Sequence, residues 1–331
     1  MNPLRMAACV SIALGLFCQP GEARPKLVTF QVPGATATVP RTITNRGEVA
    51  GFFVDGTGQH GFLRATDGTF TIVDVPGAAN TDAVGVRRDG TIVGNYSGKT
   101  DQNTFYTRGF VRTPDGQYTD VMAPHAARYT SAISLDKAGW IAGTGIRGRQ
   151  GDTFGFLRNP HGHYTEFGEQ LTVACANSHQ TLAGTLSANG AIHGFVRTPD
   201  GTITQFDPPG AIYTVVSAIN DADIVIGYFK SSSGINEGFI RAADGTISTF
   251  AVPGKNVQGT GPLSINEGGA IAGYYQNRIN QGGFVRASDG NMKTIDVPRG
   301  KDTEINSIND KGQLAGEFKT NGIVMGFIWK P

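Results

Sequence analysis

The sequence is short of cysteine, of net charge, of long apolar runs and of any helical hydrophobic pattern. Its 28 basic and 27 acidic residues leave a formal charge of +1. Phosphate binding needs clustered Lys and Arg, and no run of like charge occurs, so nucleic acid is not expected as a partner. The one extended apolar stretch, Met6 to Phe17, is too short to cross a bilayer, and no membrane span is expected. No useful window places apolar residues at i, i+3, i+4 and i+7, which argues against an α-helical core. Only Cys9, Cys18 and Cys175 are present, without CxxC spacing, and no pair of the 6 histidines has zinc-like spacing. No metal and no cofactor are therefore expected.

Glycine is abundant instead, at 47 of 331 residues. That is roughly twice the usual share and points to many tight turns. Aromatic residues at 9 % supply the apolar surface that a disordered chain lacks.

The N-terminus reads as an export signal. Arg5 gives the positive charge, the apolar run follows, and Gly21 and Ala23 fit the −3 and −1 positions of a cleavage site. Residues 1–23 are expected to be removed, leaving 24–331 as one periplasmic or secreted domain. A lipoprotein signal at Cys18 is disfavoured by bulky Phe17. Cleavage leaves Cys175 alone, read as a small core residue rather than a reactive thiol.

The chain repeats. A Gly-Phe-aliphatic step begins at Gly61, Gly109, Gly155, Gly194, Gly238, Gly283 and Gly326, spaced by 39 to 48 residues. A second column runs through Gly51, Gly94, Gly143, Gly184, Gly227, Gly273 and Gly316. Each copy holds four strand-length apolar stretches separated by turn signals such as Asp289-Gly290. An all-β fold is expected, a seven-bladed β-propeller of four-stranded blades. The last copy, finishing at Gly326–Trp329, contains three strands. Lys26–Gly34 matches fourth-strand segments such as Thr71–Gly77, so the N-terminal strand should close the last blade and remove exposed edges. The phenylalanine column should pack between blades, and Asn220, Asn266 and Asn309 should shape the first turns.

The pattern Ile-Asn-x-x-Gly…Ala-Gly at 264–275 and His-Gly-Phe-Leu-Arg…Asp-Gly at 60–68 resembles bacterial extracellular proteins with HAF-type repeats. The likeness covers residues 26–331 and implies the fold and export rather than a chemistry. One departure stands out: the family tends to have Ala-Phe-Leu-Trp where this chain has Gly-Phe-aliphatic-Arg, and only Gly326–Trp329 restores the tryptophan.

Function should sit on the face shared by the crossing loops and the loops between second and third strands. Thr38, Thr81, Thr130, Thr214, Thr260 and Thr303 recur there, either as a ring of hydroxyls or as caps of their own strands. Departures from the repeat mark candidates more sharply. His125 replaces the crossing-loop glycine, followed by Arg128 and Tyr129. Glu166, Gly168 and Glu169 replace the next Pro-Gly element, and the neighbouring long loop carries Arg147, Arg149 and Asp152. Arg128, Arg147, Arg149 and Asp152 are ligand-binding candidates for an anionic or sugar-like group. His125, Tyr129 and Glu169 are the catalytic candidates. No Gly-x-Ser-x-Gly elbow, His-Glu-x-x-His or phosphate loop occurs. Gly143, Gly145 and Gly148 match a dinucleotide fingerprint, but no helix follows. The favoured reading is a monomeric binding module for a carbohydrate, peptide or protein ligand. The alternatives are a hydrolase or lyase using His125 at the channel mouth, and a passive surface protein.

Overall fold

A computed structural model describes residues 25–148 and 151–331. The export segment 1–23 and Arg149 lie outside the described residues. Among the described residues there are 28 β-strands and no helix, so no helix is long and apolar enough to cross a membrane.

Four strands form the basic unit. Ala37–Ile43, Val49–Val54, Gln59–Arg64 and Phe70–Val73 pair antiparallel in chain order. The same order recurs over 80–121, 129–167, 171–206, 211–250 and 257–295. Lys301–Ile308, Leu314–Thr320 and Ile323–Lys330 make the last unit, and Lys26–Phe30 adds its fourth strand. Lys26 stands opposite Lys330 and Phe30 opposite Gly326. The two ends of the described chain therefore share one sheet.

The repeated residues explain why the units stack. A Cβ at Gly227 would lie 2.0 Å from Val215 O and 2.8 Å from the Phe239 ring, so only glycine admits both the neighbouring strand and the phenylalanine. Phe62, Phe110, Phe156, Phe195, Phe239, Phe284 and Phe327 are completely buried. Each packs on the preceding unit: Phe110 against Ala50 and Val73, Phe239 against Ala183 and Val196, Phe284 against Ile226 and Val252. Phe62 meets Phe30, Ala315 and Ile328, which closes the first unit onto the last. Burying each ring contributes about 1.5–3 kcal/mol.

The arginine that recurs after the Gly-Phe-aliphatic step has a structural role. Arg64, Arg197, Arg241 and Arg286 lie over Phe30, Phe167, Phe206 and Phe250, the fourth-strand aromatics of the preceding units, at 4.9, 4.5, 5.2 and 5.3 Å. Their alkyl stems cover the seam while the guanidinium meets a ring face. In the last unit the relation reverses, with Lys293 Nζ 5.4 Å from the Trp329 ring.

The recurring threonines are not a ring of hydroxyls open to a channel. All six are buried. Thr38, Thr81, Thr130, Thr260 and Thr303 accept the backbone N–H of Val32, Val75, Ala123, Val252 and Val297. They pin each crossing loop to the strand it enters. Leu171 occupies this position in the fourth unit, and Thr144 of the third unit accepts Val173 N–H at 2.9 Å instead.

Cys175 places its sulfur inside, 3.8 Å from Ala183 O, and burial pushes its thiol up to about 12.

Candidate functional site

Crossing loops and second-to-third-strand loops emerge at one end of the units. The first residues of entering strands lie beside third-strand starts: Asn80 beside Gln59, Tyr129 beside Thr107, Gly259 beside Asn236. Ala37 lies beside Val324 in the same way, across the closure.

The crossing loop into the third unit is built around His125. Ala126 N–H donates to Ala123 O at 3.0 Å, closing a turn over Pro124 and His125. In the parallel turns Gly34 and Gly77 take φ of +82° and +78°, whereas His125 keeps a negative φ. An imidazole fits there because the turn adopts a form that L residues accept. His125 N–H donates to Glu166 Oε1 at 3.1 Å, and Nδ1 lies 2.7 Å from Glu166 Oε2. Arg147 Nη2 donates to the same Oε2 at 3.1 Å, with its guanidinium 4.1 Å from the Phe154 ring centre.

Glu166 is the hub. Its side chain is 11 % exposed against 74 % for His125. Burial alone would raise its carboxyl, but the hydrogen bonds from His125 and Arg147 outweigh that and hold it below the usual range. The carboxylate fixes the ring through Nδ1. Among the described residues no hydrogen bond engages Nε2, so the exposed edge of the ring is left for a ligand.

Beyond His125 the loop forms one wall of a cleft of about 220 Å³. Met122, Arg128 and Tyr129 face Phe105, Tyr106 and Arg108 across it. Phe105 is 72 % exposed, with Lys99 Nζ 4.6 Å from its ring centre. Arg108 lies 4.9 Å over Tyr106 and donates to Asp120 Oδ2 at 3.2 Å. Tyr96 donates to Asp120 Oδ1 at 2.7 Å, and burial together with that bond pushes its phenol up to about 12. Asp120 thus orients the guanidinium and the Tyr96 ring, which meets Tyr106 edge-on at 5.9 Å.

The residues singled out in the sequence fall into three groups. His125 and Arg147 meet through Glu166. Arg128 and Tyr129 line the adjoining cleft. Glu169 is exposed and stands apart from the His125 contacts, and Asp152 accepts Gln170 Nε2 at 3.1 Å. Phe105, Tyr106, Arg108 and Met122 were not singled out. For Phe105, Tyr106 and Arg108 the signal in the sequence is the length of the loop that presents them, whereas Met122 lies in the crossing loop.

No family model matches the sequence, and no curated protein is similar enough to place it in a family. Solved structures do resemble it. Virginiamycin B lyase from Staphylococcus aureus is similar over 92 % of this chain and 99 % of its own, at 16 % identity and a TM-score of 0.59. A catalytically inactive histidine-to-alanine form of that lyase, with quinupristin, gives 17 % identity over the same shares and a TM-score of 0.63. The β-propeller domain of the Trilobed protease from Pyrococcus furiosus matches 91 % of this chain and 94 % of its own, at 11 % identity and a TM-score of 0.64. The fold is a β-propeller. At these identities the likeness concerns architecture alone. The protease propeller is described as having an open velcro topology, whereas here Lys26–Phe30 bonds to Ile323–Lys330.

Proposed function

We propose that the chain is an exported seven-bladed propeller of the HAF-repeat kind that binds a carbohydrate, peptide or protein ligand on its loop face. The supporting observation is where apolar surface is left uncovered. Among the described residues nine large hydrophobic side chains are exposed. Phe105, Met122, Tyr129, Ile192, Ile212, Ile235 and Ile279 all stand at the loop end. Apolar surface gathered on one face is a mark of binding. The 220 Å³ cleft is its most developed part, with aromatic faces to stack on a ring and Arg108 and Arg128 to meet acidic or hydroxyl groups. The seven repeats support the blade count, and the 1–23 segment supports export.

Glycan and peptide arrays probed with residues 24–331 test the reading. Binding is expected to drop at least tenfold in Phe105→Ala/Arg128→Ala with the thermal transition unchanged. Ligands whose affinity is untouched by that double variant would remove the cleft from recognition.

A second reading, a hydrolase or lyase, is favoured by one observation: Glu166 occupies His125 Nδ1 and leaves Nε2 outward. A carboxylate-oriented imidazole of this kind serves as a general base or acid. A turnover lost in His125→Ala, with the fold intact, would favour it over simple binding.

A further inference from the structure

A second cleft lies at the loop end, between the sixth unit and the last. Its volume is about 360 Å³, and Gln281, Asp302, Glu304, Glu317 and Lys319 are among its walls. Two of these carboxylates sit in an unusual relation. Glu304 and Glu317 are directly opposed across the first two strands of the last unit. Like charges placed this way repel, because directly opposite side chains on one face are in contact range.

Each neighbouring element supplies something to the pair. From the sixth unit, Gln281 Nε2 donates to Glu304 Oε2 at 2.6 Å, and Arg278 stands in the cleft wall. On the first strand of the last unit, Asn306 donates Nδ2 to Pro40 O at 2.8 Å in the first unit and lowers the Glu317 carboxyl. From that first unit Arg41 faces Glu317, but its Nε and Nη2 are committed to Asp82 Oδ2 at 3.2 and 3.1 Å. On its own strand Lys319 is held by Asp302 at 3.1 Å. On the third strand Gly326 lies opposite and brings no charge. Glu317 Oε2 is left out of solvent without a partner. Burial, then the charge of Glu304, pushes the Glu317 carboxyl up to about 7, against the opposing pull of Arg41, Asn306 and Lys319.

We propose that Glu304 and Glu317 form a proton-operated latch in the last unit that holds it to the sixth. With a proton on Glu317, the pair carries one negative charge, Gln281 holds Glu304, and Asn306 ties the strand to Pro40. When Glu317 releases that proton to water, two carboxylates face each other with both nearby cations already engaged. Swinging Glu304 off Gln281 into the cleft relieves the repulsion, so the contact between the sixth unit and the last loosens. The native carboxyl is raised above its ordinary 4.5, so the stability it contributes is present in acid and lost as pH rises through about 7.

Trp329 is a built-in reporter, since it packs with Ile305, Phe318 and Phe327 of the last unit. Acrylamide quenching of Trp329 in a Trp140→Phe background, with melting temperature, is followed from pH 5 to 9. Quenching should rise and the melting temperature should fall by several degrees, with a midpoint near 7. Glu317→Gln should flatten both curves and raise the melting temperature at pH 8. Glu304→Gln, which removes the opposing charge, should flatten them too and serves if Glu317→Gln does not fold. Asp82→Asn, which frees Arg41 to face Glu317, should move the midpoint to lower pH. A transition that survives both glutamine substitutions, or a native protein whose curves are already flat, overturns the latch.

Discussion

Asn266 donates its side-chain Nδ2 to the backbone carbonyl of Asn309, 3.1 Å away in the next unit. The same bond runs from Asn177 to Asn220 at 3.1 Å, from Asn220 to Asn266 at 3.3 Å and from Asn309 to Thr44 at 2.8 Å. Each asparagine also accepts its own turn, as Asn266 Oδ1 does from Ala270 N–H at 2.8 Å. One amide therefore shapes a turn and ties it to its neighbour. Asn266→Ala should cost about 1–3 kcal/mol, because buried groups lose their partners. Asn266→Asp should retain the turn and lose only the tie, so it should fall between the two. Urea denaturation measures both.

The ladder starts only at the fourth unit; Thr44, Arg87 and Asp136 take the asparagine place in the first three. Asp136 Oδ1 accepts Trp140 N–H at 2.8 Å, while Oδ2 is buried without a partner. Asp136→Asn supplies the missing donor toward the fourth unit. We predict a gain of about 1 kcal/mol in the urea midpoint analysis. A neutral or destabilising result would show that the third unit stands too far from its neighbour for the bond.

Removing residues 24–30 should strip the last unit of a strand and expose Phe62, Ala315 and Ile328, which Phe30 now covers. The open edge of Ile323–Lys330 is a template for intermolecular pairing. Size-exclusion chromatography should show the shortened domain in larger assemblies than the intact one. The milder Phe30→Ala should elute with the intact domain and lose about 3–5 kcal/mol.

The lowered carboxyl of Glu166 gives an acid-side prediction. A group depressed in the native state contributes stability above its ordinary value of 4.5 and loses it as pH falls toward the native value. Glu166→Gln should therefore destabilise the domain at pH 7 and have less effect below pH 4. Melting curves across that range test the sign.

Cys175, with its thiol pushed up to about 12, should react with a thiol reagent at pH 8 only on opening of the fourth unit. Adding urea to the unfolding midpoint should speed labelling by orders of magnitude. Rapid labelling of the native protein would contradict its burial.

How much of this was legible in the residues depends on range. Two glycine columns and the Lys26–Gly34 likeness to fourth strands revealed the units and the closure, because each unit repeats the same local requirements. The second task of Asn220, Asn266 and Asn309 was hidden, since a sequence shows the turn next door but not the carbonyl 46, 43 and 265 residues away. Distance along the chain also obscured the partner of His125. Glu166 and Glu169 sit three residues apart in one loop substitution, and only the strand ending at Phe167 decides that Glu166 turns inward. Of the two readings of the threonine column, the strand-capping one matches the backbone contacts.

The pairing of Lys26 with Lys330 also sets how the ring responds to force. Tension applied through those two residues acts on one end of a five-pair antiparallel ladder and opens its bonds singly, like a zip, instead of loading them together. The seal should yield at low force in a single-molecule extension, well before the units inside it. An intact toroid that resists load from every other direction is thus provided with one easy tear line.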